Sequence, residues 1–270
     1  MTRTVHHELN VEKPSRELSI GEILSLTLNL YLSNFLQFFL PFLIAGIITG
    51  LSMYAIMSSF PLPKQPGANA PYEEIFEWFV AVLSTIITVG ILSALVGWIV
   101  STPTTGIAIK CASDQIERGT SDLGASLNFT ISKLPSLLIA QFINGILTAI
   151  GLFLLFIPGI IIGIMFSLIM PAIIVEQKGA FESLGRSRRL VRNRWLKIFV
   201  LLLIVGLIAG VVTIIANLLA TPLNITYPHT NLIITSITTS FVAPISSIAV
   251  TYLYYAMVAR EIPPPPPPPF

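Results

Sequence analysis

Charge is scarce in this chain. Asp, Glu, Lys and Arg make up only 10% of its 270 residues, where a soluble domain carries about 25%. So few charges cannot clothe a water-facing surface, and part of the solvent has to be lipid. Cysteine is nearly missing too. Cys111 stands alone, which excludes an internal disulfide and any cage of thiolates around a metal, and leaves the redox compartment unreadable. The histidines are His6, His7 and His229, too few and too far apart to converge on a metal. There is no His-Glu-x-x-His, no Gly-x-Ser-x-Gly and no Walker loop, so hydrolase and nucleotide chemistry find no motif. The expectation is a protein that is not an enzyme and has no cofactor. A net charge of +2 is too small to draw nucleic acid. The first 22 residues mix Arg3, Lys13 and Arg16 with four glutamates and have no apolar core, so they do not form a cleavable signal peptide.

What the chain has is apolar sequence. Residues 23–63, 78–109, 134–175 and 198–259 contain no charged residue, and a spanning helix needs about 20 apolar residues. The first two stretches hold one span each, near 34–58 and 77–100. The third is too long for one crossing and contains Pro158-Gly159, which predicts a hairpin with spans at 135–156 and 159–176. The fourth is interrupted between Thr221 and His229, giving spans at 197–220 and 231–258. The fold class is therefore all-α, a polytopic membrane protein with six transmembrane helices. Residues 1–17 form a polar tail, 18–260 the membrane domain and 261–270 a polyproline tail.

Orientation follows from the basic residues in the loops. Fourteen of the fifteen lie on the side of the N-terminus, and Lys64 alone lies opposite. Both termini are expected in the cytoplasm and the protein in the cell membrane.

Each span that leaves the basic side follows a candidate amphipathic interfacial helix. The first opens at Ser19, with Glu22 at the capping-box spacing. The second lies near 121–133. The third runs from Gly179 to Trp195, with Phe181, Leu184, Val191 and Trp195 on one arc at about 100° per residue. Arg188 and Arg192 lie beside that arc, where long stems can rest on lipid while guanidinium groups reach phosphates. Arg186, Arg188, Arg189, Arg192 and Trp195 are the candidate binding residues for anionic lipid. The alternative is that these arginines only set topology. Leu24, Leu127 and Leu184 align across the three segments, a faint sign of an internal repeat.

The run from Phe156-Ile157-Pro158-Gly159 through Met170-Pro171-Ala172 and Glu176 to Glu182-Ser183-Leu184-Gly185-Arg186-Ser187, Leu190 and Trp195 resembles the membrane domain fused to some glycerophosphodiester phosphodiesterases, and related stand-alone membrane proteins of bacteria and archaea. The N-terminal Leu18-Ser19-Ile20-Gly21-Glu22-Ile23-Leu24, with Tyr31, Asn34 and Phe35, is similar as well. The resemblance implies a six-helix membrane domain and no reaction, since the fused enzymes keep their hydrolase chemistry in a separate soluble domain.

The spans hold no ionisable residue in their central portions, which argues against a proton-coupled transporter. Asp114 and Glu117, beside Lys110 and Arg118, read as charge pairs on an exposed helix. The polar groups inside are Gln37, Gln141, Asn144, Asn217 and the hydroxyls Thr235, Thr238, Thr239, Ser246 and Ser247. They serve either helix packing or a polar pathway. Pro41, Pro171 and Pro244 are expected to kink three spans. Seven consecutive prolines and Phe270 close the chain. Such a polyproline II rod can dock on aromatic grooves, with Pro263, Pro266, Pro269 and Phe270 as candidate contacts to a protein partner. The expected function is a non-enzymatic organiser of lipids or partners at the cytoplasmic face. The alternative is a permease or exporter of a neutral or lipidic molecule.

Overall fold

The computed structural model describes residues 13–154, 156–226 and 229–261, which form helices and no strand. In chain order these are α1 (Ile20–Ser33), α2 (Phe35–Ser59), α3 (Tyr72–Arg118), α4 (Leu123–Leu154), α5 (Phe156–Met165), α6 (Ile169–Val175), α7 (Ala180–Val191), α8 (Trp195–Thr226), α9 (Thr230–Thr239) and α10 (Ala243–Ala259). Six segments are long and apolar enough to cross a membrane: α2, α3, α4, α5 with α6, α8, and α9 with α10. The protein is an all-α, multi-pass architecture.

Helix α1 starts as its sequence requires. The Glu22 amide donates to the Ser19 hydroxyl at 3.2 Å, and the Ser19 amide donates to the Glu22 carboxylate at 2.7 Å. Arg16 pairs with the same carboxylate. The hydrogen bond from Arg16, then those of Ser19, hold the Glu22 carboxyl at about 2.

Three boundaries differ from the sequence reading. Helix α3 does not stop near residue 100 but runs on to Arg118, because Lys110, Asp114 and Arg118 stand four residues apart and pair along the helix rather than in a loop. The interfacial helix expected at 121–133 is the first part of α4, which carries Pro135 in its interior. The hairpin reversal comes before Pro158-Gly159. The chain leaves α4 after Leu154 and has entered α5 by Phe156, so Pro158 sits in a first helical turn, where a missing donor costs little. Gly159 serves close packing instead. A Cβ on it would fall 2.5 Å from the Leu152 amide nitrogen, and one on Gly151 would fall 2.8 Å from the Gly159 Cα.

Burial is concentrated at the end that carries the basic residues. Residues 243–259 and 102–116 are the longest runs rich in buried positions, packed with α1, α6 and α7. The most apolar stretch of α3 is 0% buried within the protein, so its outer half faces lipid. Asp114 is thus a core residue at 6% exposure and not a surface one. Lys110 at 2.6 Å compensates its charge, as burial of a carboxylate demands. The tail residues 1–12 and 262–270 lie outside the described residues, and with them His6, His7, Pro263, Pro266, Pro269 and Phe270.

Candidate solute-binding cavity

Two of the six spans are interrupted. The fourth loses its helix at Phe166-Ser167-Leu168 between α5 and α6, and the sixth at Ser240-Phe241-Val242 between α9 and α10. Pro171 and Pro244 fall in the first turns of α6 and α10, so each marks a new helix start rather than a kink within one. Pro41 lies inside an unbroken α2.

Irregular backbone at membrane depth persists only where protein satisfies it or where it lines a cavity. Both conditions hold here. At the first break, the Leu168 amide donates to the Ser187 hydroxyl at 3.1 Å, and that hydroxyl donates to the Met165 carbonyl at 2.7 Å. One side chain from α7 thereby repairs both strands of the interrupted ladder. At the second break the amides of Ser240, Phe241 and Val242 turn to carbonyls three residues back. The Tyr31 hydroxyl donates to the Phe241 carbonyl at 2.8 Å. Phe39 packs against Phe241 with its ring tilted by 30° and centroids 4.4 Å apart. The Ser240 hydroxyl faces the Phe42 and Ser236 carbonyls at 2.8 Å each and shares its one proton between them.

Ser240 can approach α2 because Gly46 and Gly50 present no side chain. A Cβ on Gly46 would collide with Ser240 and the Ser236 carbonyl, and one on Gly50 would lie 2.9 Å from the Ile233 Cα. This small-xxx-small spacing brings helices together without a hydrophobic driving force.

Between the two breaks lies a cavity of about 560 Å³. Thr49 of α2, Ser101, Thr104 and Thr105 of α3, Gln141 and Asn144 of α4, Ser167 at the first break, and Ser236, Thr239, Ser240, Ser246 and Ser247 around the second all line it. No Asp, Glu, Lys, Arg or His is among the lining residues. Several hydroxyls are spent within their own helices, as Thr104 on the Val100 carbonyl and Thr239 on that of Ser236. Gln141 is different. Its amide nitrogen meets only the Met170 sulfur, at 3.0 Å, a weak acceptor that leaves donor capacity for a better one. Asn144 and Thr148 follow Gln141 along the same face. Of the polar residues singled out in the sequence, Gln141, Asn144, Thr239, Ser246 and Ser247 converge here. Gln37 bonds elsewhere, to the Ser121 carbonyl, and Asn217 to Thr235.

The family model described as Domain of unknown function (DUF7847) matches residues 21–261. The chain belongs to the DUF7847 family. No curated protein and no solved structure matches the chain at a significant level. The DUF7847 match covers α1 to α10 from Gly21 onward and ends at Glu261, so both breaks and the cavity belong to the family's domain, whereas the proline run lies beyond it.

The candidate arginines of the DUF7847 domain do not act as one group. Arg186 is withdrawn into an ion-pair network, bonding the Glu176 carboxylate at 2.8 and 3.0 Å and that of Glu261 at 2.9 and 2.7 Å. Burial works to raise the Glu176 carboxyl, but the nearby Tyr254 hydroxyl and the Arg186 guanidinium outweigh it and hold it below the usual range. Arg188, Arg189, Arg192 and Trp195, by contrast, share a second cavity with Ile161, Ile164, Met165, Val191 and Asn193. The arc read from the sequence divides: Phe181 and Trp195 are exposed, whereas Val191 is buried. Helix α7 buries Val191 with Ala180, Ser183, Ser187 and Leu190, where small residues admit close approach to α6. Glu117 accepts from Tyr255 at 2.8 Å, and among the described residues no His, Cys, Asp and Glu cluster is placed to hold a metal.

Proposed function

We propose that this DUF7847 domain is a non-enzymatic permease or exporter for a neutral, hydrogen-bonding molecule, such as a polyol or an uncharged amphiphile. One observation carries the reading: two interrupted spans meet at a cavity where hydroxyls and amides are set among apolar side chains such as Phe42, Phe166 and Met170, with no charged side chain. Pairs of broken helices at the middle of a bundle supply backbone groups for a solute at a depth where lipid offers none. A cavity of this size accommodates a small molecule. The absence of charge from its lining favours a neutral occupant, since a desolvated ion would need a counter-charge. An organiser of partners alone, the reading the sequence favours, gives this interior cavity no task. The resemblance to membrane domains fused to glycerophosphodiester phosphodiesterases suits an amphiphile with a glycerol-like head. The bias of basic residues supports cytoplasmic termini and a place in the cell membrane.

The test uses single cysteines at Ser101 and Thr239 in a Cys111→Ser background, reconstituted in sealed vesicles. A membrane-impermeant methanethiosulfonate reagent should modify both, and Gly97→Trp, placed on a lining glycine with open space around it, should block modification. Protection of both cysteines from reagent on either side refutes a water-accessible path.

A further inference from the structure

The second cavity, about 750 Å³, opens between the end of α7, the start of α8 and the flank of α5. Its upper wall is basic and its floor apolar. Arg188, Arg189 and Arg192 line it, and among the described residues none of the three meets a carboxylate. The neighbouring Arg186 and Arg194 both do, with Glu176 and Glu261 for the first and Glu17 for the second. The chain turns between α7 and α8 through Asn193, whose φ is +64°, a conformation that asparagine accepts more readily than most residues. That turn sets Arg192 and Trp195 on the same opening. Arg260 adds a fourth guanidinium nearby by donating to the Arg192 carbonyl at 3.3 Å.

A positive charge at a helix C-terminus is stabilised by the helix dipole, so one arginine there needs no ligand. Three on one opening repel each other, and a shared anion relieves that repulsion. The floor says which anion. Ile161 is 52% exposed and continuous with the outer face of α5, and Trp195 is 58% exposed at the rim. A free phosphate ion would leave this apolar floor uncovered. A molecule carrying both a phosphate and acyl chains covers it.

We propose that Arg188, Arg189 and Arg192 form a binding site for an anionic glycerophospholipid, with its phosphate on the guanidinium groups and its chains along Ile161 and Ile164. The site is separate from the solute cavity and stands whether or not a solute crosses there. Arg186 takes no part, which narrows the arginine cluster to the three residues that share the opening.

The experiment is native mass spectrometry of the full chain in mixed micelles of phosphatidylglycerol and phosphatidylcholine at equal amounts. Wild type should retain phosphatidylglycerol at least tenfold over phosphatidylcholine. The variant Arg188→Gln/Arg189→Gln/Arg192→Gln should lose that preference, and Arg16→Gln/Arg118→Gln/Lys133→Gln, which removes as much charge elsewhere, should keep it. Soluble glycerol phosphate should displace the lipid poorly. Absence of a preference in wild type overturns the proposal without any variant. An equal loss in the two triple variants reduces the effect to net charge and overturns it also. Displacement by glycerol phosphate at concentrations equal to lipid would make this an anion site instead.

Discussion

Ser187→Ala removes both halves of the clamp on the fourth span at once. Ser187 and Leu168 are fully buried, so the Leu168 amide cannot turn to water when the hydroxyl goes, while the Met165 carbonyl is only partly buried. An orphaned buried donor costs about 1–3 kcal/mol, and losing the partly buried bond to Met165 adds up to about 1 kcal/mol, roughly 1–4 kcal/mol together. For a chain of this size each kcal/mol moves a melting midpoint by about 2–4 °C, so the variant should melt on the order of 10 °C below wild type. Cys111 provides the assay. It is the chain's single cysteine and fully buried, so a fluorogenic maleimide reacts only as the core opens. Ser183→Ala is the control, since Ser183 is equally buried but donates within its own helix, to the Ala180 carbonyl at 2.7 Å. It should cost less than about 1 kcal/mol, near the net worth of one ordinary hydrogen bond. Equal midpoints for the two alanine variants would refute the clamp.

Gly159→Ala forces a Cβ against the Leu152 backbone and should cost about 1–3 kcal/mol as overpacking, whereas Gly145→Ala, with open space around it, should leave the same thermal midpoint near wild type. Acidification should loosen the basic end. Glu17, which burial tends to raise, is held low by Arg194 and Lys197, and Glu176 is also held low. Stability from a depressed carboxyl is present above its ordinary value of 4.5 and lost as pH falls through the folded value. Midpoints should therefore fall below about pH 4.5, and the double variant Glu17→Gln/Glu176→Gln should flatten that decline. Single cysteines replacing Lys64 and Arg189 in a Cys111→Ser background should label from opposite sides of sealed vesicles; labelling from one side only would break the six-span orientation.

The spans were legible because their signal is a simple absence of charge over about 20 residues. The same signal misled at 101–118, where Lys110, Asp114 and Arg118 looked like an exposed helix outside the core. Their pairing at four-residue intervals continues a helix whose sides are buried by protein, and charge content alone cannot tell such a core from water. The cavity was half legible. Gln141, Asn144, Thr239, Ser246 and Ser247 stood out as polar groups in apolar runs, but Thr49, Ser101 and Thr105 join them only through the crossing of α2, α3 and the sixth span. Ser187 was hidden for another reason. A serine between arginines reads as part of a wet face, and its task appears only when the interrupted backbone of a distant span is set beside it. The Gly46-x-x-x-Gly50 spacing likewise takes its meaning only where α9 is set against it.

Helix α3 has 47 residues, about 70 Å at 1.5 Å per residue, more than twice the roughly 30 Å of a hydrocarbon layer. Its final third is sheathed by protein and makes no demand on lipid. Residues 78–101 do make one, and their 24 positions span about 36 Å. Upright, they overhang the hydrocarbon by about 6 Å, and a tilt of roughly 30–35° removes the mismatch. This half is tied sideways at its two ends, where Trp78 donates to the Pro63 carbonyl at 3.3 Å and Trp98 to the Leu138 carbonyl at 3.2 Å, but none of its most apolar window is buried. Pro103, which cannot contribute a ladder bond, sits where the sheathed base ends. Bilayer thickness therefore sets the lean of α3 against a fixed base, and with it the width of the wall that Ser101, Thr104 and Thr105 give to the cavity.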